Sequence, residues 1–231
     1  MATQRDPALE KFSGLLPLFP LPNAVMFPGT RLPLHVFEPR YRQMVQDVSA
    51  GEQLIGVVLL KPGWERNYFE SPEVFPVACL GKLEQMQRLP DGRYNIRLVG
   101  LSRVRLGREV KKSPYRTCEV SLLEDRLQGP QVVNVQHHLD QTLQIFDGLL
   151  RSLAEFPGHV LLTRRNLRPG VLLDLLGSNL PLDPFQKQQL LEAVDVEERA
   201  ARMVELLQVL QSDVRTHRKM RFRLFPKPSQ N

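Results

Sequence analysis

His35 stands three residues before Glu38, and a histidine beside a carboxylate is the pair that moves protons in general acid–base catalysis. That chemistry also needs a nucleophile or an oxyanion donor within reach, and none accompanies the pair in sequence. Both side chains are therefore expected to serve the fold, with Glu38 and Asp47 pairing to Arg40 or Arg42. His137 and His138 are adjacent within a helical pattern. They point about 100° apart and cannot chelate one metal from one face. Cys79 and Cys118 are the only two cysteines, too few for a metal cluster of their own. Both lie in strand-like segments, as expected of buried, reduced thiols. Gly81-Lys82 is the only Gly-Lys pair. A phosphate-cradling loop of the form GxxxxGK[ST] would need glycine where this chain has Pro76 and serine or threonine where it has Leu83. Neither GxGxxG nor GxSxG occurs. No catalytic residue, cofactor site or metal site is expected, and the chain reads as a non-enzyme.

Two groups of side chains suit binding better than catalysis. Trp64, Tyr68 and Phe69 stand in a polar stretch, residues 61–73, and could anchor an extended peptide. The alternative is that the loop folds back and covers its own sheet. Arg215, Arg218, Lys219, Arg221 and Arg223 lie in a basic C-terminal tail interleaved with Phe222, Leu224 and Phe225. Such a tail could take RNA, anionic lipid or an acidic partner, or be a packed strand or a solvated end. Beyond Asp213 there are six basic residues and no acidic one, which accounts for the whole net charge of +6. Residues 1–213 are formally neutral, so the high isoelectric point does not argue for a nucleic-acid-binding body.

The elements that must carry these residues follow from punctuation and period. The chain has 231 residues, 42% hydrophobic and 24% charged, enough for one large or two small domains with a real core. It begins without an apolar signal region and has no apolar run near 18 residues, so a cytoplasmic protein is expected. Residues 1–13 read as a flexible N-terminus. From Leu16 to Arg42 six prolines each fix φ and remove a donor, leaving short extended pieces: Leu15–Phe19, Ala24–Phe27 and Arg31–Val36. Pro39 suits the first position of a helix carrying Tyr41, Met44, Val45 and Val48, which Gly51 ends. Leu54–Leu60 is a buried strand. Phe75–Leu89 and Tyr94–Val99 flank the turn Pro90-Asp91-Gly92. After Gly100 strands follow at Ser102–Val110 and Tyr115–Leu123, an antiparallel meander with one face buried.

At Gly129-Pro130 the period changes. Val132, Val135, Leu139, Leu143, Phe146, Leu150 and Leu153 mark a long amphipathic helix that Pro157-Gly158 breaks. Further helices are expected near Val171–Leu176, from Asp183-Pro184 through Ala193, and after Asp195, which with Glu198 resembles a capping box. Strands first and helices second predict an α+β protein. Its parts are a β-rich subdomain at 14–128, a helical subdomain at 129–212 and the basic tail at 213–231.

The run LPLFPLPNAVMFPGTRLPLHVFEPRYR from Leu16 to Arg42 resembles the start of the N-terminal substrate-binding domain of Lon-type ATP-dependent proteases, most of all its stand-alone bacterial form. LPDGRYNIRLVGLSRVRL at Leu89–Leu106 is similar to that family's hairpin. Cys118–Asp125 resembles its strand ending in an acidic pair, and Leu172–Leu210 its late helices. The resemblance covers roughly residues 16–211. It implies an antiparallel PUA-like pseudo-barrel followed by a helical bundle, without the ATPase and Ser–Lys protease domains of full Lon. It implies a non-catalytic module that recognises unfolded or tagged protein segments, or a partner protein, through a groove where strands meet helices. The rival expectation is an RNA-binding PUA-like module using the tail. An unrecognised hydrolase comes third.

Overall fold

The computed structural model describes residues 6–127, 131–152 and 167–216. Leu153, the Pro157-Gly158 break, the Gly129-Pro130 change of period and tail residues 218–223 lie outside the described residues. The chain divides between Glu124 and Asp125 into a strand unit and a helical unit.

The strand unit opens with a short helix, α1 (Pro7–Glu10), then β1 (Leu15–Leu21), β2 (Arg31–Val36), α2 (Pro39–Ala50), β3 (Leu54–Leu59), β4 (Val77–Arg88), β5 (Tyr94–Lys111) and β6 (Thr117–Leu123). Among the described residues these strands form one sheet in the order β2-β5-β4-β3-β1-β6, and β6 also pairs with β5. That second pairing closes β1, β3, β4, β5 and β6 into a barrel and leaves β2 outside the ring. The sheet is mixed rather than purely antiparallel, because β1 runs parallel to β3 with Leu18 opposite Gly56. A parallel pair needs a crossover, and β2 with α2 supplies it. β3 is buried along its whole length, as its unbroken apolar run requires. Leu16, Leu18, Leu54, Val58, Leu80 and Val104 meet in the interior.

Ala24–Phe27 forms no strand. It sits between Pro22 and Pro28 and turns instead, with the Thr30 hydroxyl accepting from Phe27 N–H at 3.3 Å and donating to Phe27 C=O at 2.7 Å. Its side chains still do core work, since Met26 and Phe27 are buried. The two strands expected on either side of Gly100 are one continuous β5. Gly100 exchanges backbone bonds with that turn, donating to Thr30 C=O at 2.9 Å and accepting from Gly29 N–H at 2.8 Å. A Cβ at Gly100 would collide with the Phe27 carbonyl oxygen. The expected alternation holds at Tyr94, Ile96 and Leu98, which are buried between exposed Asn95 and Arg97, whereas Arg103 is buried where alternation predicts exposure. At the 90–92 turn Gly92 has φ +81° and donates to Leu89 C=O at 2.9 Å, and Asp91 accepts from Arg93 N–H at 3.0 Å.

The helical unit holds α3 (Gln131–Ser152), α4 (Pro169–Asn179), α5 (Pro184–Glu192) and α6 (Val196–Thr216). Asp183 caps α5, accepting from Phe185 and Gln186 N–H at 2.8 and 2.9 Å while Gln186 reaches back to Asp183 N–H. Asp195 accepts from Glu197 and Glu198 N–H at the start of α6. Between the helices lies Arg199, fully buried, bonded to Asp174 of α4 at 2.7 Å and to Asp125 at 2.5 Å.

Two substitutions test these joints. Gly100→Ala should lower unfolding free energy in urea by about 1–3 kcal/mol, because the added methyl must push the turn away. Arg199→Met should cost about 3–5 kcal/mol, because it removes the buried guanidinium that Asp174 and Asp125 share. An unchanged urea midpoint in either variant would refute the corresponding contact.

Candidate functional site

The stretch from Lys61 to Glu73 leaves the barrel after β3 and returns before β4, and its base is closed twice. Lys61 N–H donates to Glu73 C=O at 2.9 Å, and the Lys61 ammonium meets the Glu73 carboxylate at 2.9 Å. Gly63, at φ +87°, starts a single 3₁₀ turn over Trp64–Arg66. Trp64 then meets Tyr68 edge-on at 5.4 Å between ring centroids, and Tyr68 meets Phe69 the same way at 5.2 Å. The three aromatics expected to act together therefore form one continuous ladder. Trp64 and Tyr68 are half-buried, and Phe69 is 85% exposed.

The ladder is fastened to the barrel through α2. The Tyr68 hydroxyl donates to Glu38 at 2.5 Å, and Arg40 pairs with the same carboxylate at 2.9 Å. The Arg40 guanidinium also lies 5.0 Å from the Tyr68 ring centre and 4.6 Å from that of Tyr41. On the far side Arg116 donates to Pro72 C=O at 2.7 Å while pairing with Glu109 at 2.9 Å. Glu38 thus pairs with Arg40 as expected. Among the described residues Asp47 holds no arginine. It accepts from the Tyr115 hydroxyl and from Gln43, both at 2.7 Å. His35 sits on exposed β2 against Asn95 at 2.7 Å, apart from this cluster.

Beside the ladder the barrel surface has a small open cleft, walled by Tyr41, Tyr68 and Tyr115, by Pro20 and Leu60, and by charged groups at its rim. Tyr41 was legible only as part of the apolar face of a helix, and Tyr115 only as a strand residue. Their shared wall depends on contacts between distant segments, for which sequence carries no signal. Burial raises the Tyr68 phenol, and the bond to Glu38 adds to it. Burial, then the bond to Asp47, pushes Tyr115 up to about 12. Burial raises Tyr41 as well, against the pull of Arg40. Arg215 belongs to the last turn of α6, whereas Arg218, Lys219, Arg221 and Arg223 lie outside the described residues.

These tyrosines make an alkaline signature. A phenol raised in the folded state contributes stability that is complete below its unfolded value of about 10 and is lost as pH climbs through the folded value. Ultraviolet titration should find Tyr115 ionising near pH 12, with unfolding setting in as Tyr41 and Tyr68 are forced to ionise. Ionisation of Tyr41, Tyr68 and Tyr115 at pH 10 without unfolding would contradict the geometry.

Comparison with known proteins agrees with this architecture. The family described as the ATP-dependent protease La (LON) substrate-binding domain matches residues 15–209. Lon protease of Cytophaga hutchinsonii is 29% identical over 202 residues, covering 86% of this chain and 24% of the relative. Lon protease of Dictyoglomus thermophilum is 26% identical over 197 residues, again covering 24% of its length. The chain thus spans about a quarter of these relatives. The crystal structure of a Lon N-terminal domain protein from Xanthomonas campestris superposes with TM-score 0.58 at 26% identity, covering 85% of this chain and 96% of that one. The N-terminal domain of Mycobacterium avium complex Lon protease superposes at TM-score 0.67 with 18% identity, a likeness of fold. With its strand unit, its helices and the 15–209 match in register, the chain belongs to the Lon substrate-binding domain family.

Proposed function

We propose that this chain is a non-catalytic recognition module for exposed apolar segments of unfolded or tagged proteins, or of a partner protein, in the manner of an adaptor or quality-control factor. The observation that carries the reading is Phe69, 85% exposed at the head of a ladder whose middle rung, Tyr68, is fixed to Glu38 and Arg40. Leaving a large aromatic in water while holding its neighbours rigid makes an anchor with little ordering left to do on binding. The free, buried thiols of Cys79 and Cys118 suit a reducing, cytoplasmic setting. Among the described residues no helix is long and apolar enough to cross a membrane.

Fluorescence anisotropy with a labelled peptide from an unfolded protein tests the reading. Phe69→Ser should weaken binding about tenfold or more, with thermal unfolding unchanged. Undiminished affinity would overturn it. The second reading, RNA binding through the tail, rests on the six basic residues beyond Asp213. It requires an RNA signal that collapses with salt or on truncation to residues 1–213, and peptide binding should survive both.

A further inference from the structure

Most side chains around the tyrosine-lined cleft have their hydrogen bonds spoken for. Tyr68 donates to Glu38 and Tyr115 to Asp47, while Arg40 and Arg116 are each neutralised by a glutamate. Tyr41 differs. It is 5% exposed, with its ring stacked on Phe19 at 4.5 Å and under Arg40. Its hydroxyl has no hydrogen-bond partner among the described residues, although it lines the cleft. Because it faces the cleft, this hydroxyl is open to an acceptor from outside the protein. Burial keeps this phenol protonated, so what it has to offer is a donor. Lys112, on the rim, is an exposed cation without an ion-pair partner among the described residues. Glu70 is the rim's opposing charge, so the free polar groups comprise two donors and one acceptor. Pro20 and Leu60, both buried, give the floor an apolar character. The strand unit as a whole carries 17 basic against 13 acidic side chains.

Resting on the recognition reading above, we infer that this cleft selects peptides in which a carboxylate adjoins an apolar side chain, the Tyr41 hydroxyl and Lys112 ammonium taking the carboxylate while the apolar group lies against the tyrosine wall. The carboxylate can come from a chain's C-terminus or from an aspartate or glutamate. Glu70 disfavours a second carboxylate on the same peptide, which limits the ligand to one such group at this site.

Trp64, the only tryptophan, touches Tyr68 and so reports on the cleft wall by its fluorescence. Three short labelled peptides of one apolar sequence separate the sources: a free C-terminus, an amidated C-terminus, and an amidated peptide with one internal aspartate. Titrating the full chain, at least one carboxylate peptide should bind about tenfold more tightly than the plain amide and shift Trp64 emission. Tyr41→Phe keeps the stacked ring and should erase that preference, as should Lys112→Gln, with near-ultraviolet circular dichroism confirming that both variants are folded. Equal affinities for acid and amide peptides, or a preference untouched in both variants, would overturn the inference and leave the recognition reading standing. Failure of every peptide, together with failure of an unfolded protein to bind, would sink both.

Discussion

The backbone pairing of β5 is the constraint on which the strand unit depends. One strand of 18 residues gives its first half to β2 and its second half to β6, and runs beside β4 for most of its length. Register shifts beyond Leu106 and opposite Leu83 supply the bending that a closed sheet needs. At the middle stands Gly100, where the backbone of the 27–30 turn comes so close that no side chain fits. If that contact opened, the 27–30 turn would lose its hold on the middle of β5, and β2 would start from an unanchored end.

The candidate site is a by-product of this closure and does not lie on any one element. β1 brings Pro20, the start of α2 brings Glu38, Arg40 and Tyr41, and the approach to β6 brings Tyr115 and Arg116. The loop after β3 adds only Tyr68 and its neighbours, yet it is held from both sides by arginines whose own charges are matched. This arrangement suits the proposed binding role, a loop positioned by rigid elements. In the helical unit Arg199 plays a comparable part between Asp125 and Asp174, where full burial makes the ion pairs a matter of specificity as much as of stability.

Much of this was legible from residue order alone. Proline at the first helical position, the Asp91-Gly92 turn, the alternation through Tyr94, Ile96 and Leu98 and the Asp183 cap are local rules obeyed locally. Ala24–Phe27 misled because two buried apolar residues look like strand whether or not their backbone pairs. Gly100 looked like a boundary because glycine usually interrupts a strand, whereas here it admits a neighbouring carbonyl. The parallel β1–β3 pair and the unpartnered Tyr41 hydroxyl were invisible, since each depends on segments far apart in the chain meeting in space. The aromatic loop was visible as composition, but its attachment to Glu38 was not.

The pairing of Leu15 with Glu119 joins residues more than one hundred positions apart. At ordinary rates of protein synthesis β6 leaves the ribosome about 5–20 s after β1. Until then β1 has an open edge, and the barrel interior around Leu16 and Leu18 stays unsealed. The α2 helix, a local contact, is complete seconds before that seal, whereas β5 ends only six residues before β6 begins. A newly made copy therefore spends its first seconds as an incomplete barrel, presenting the kind of apolar strand that its finished form is proposed to recognise.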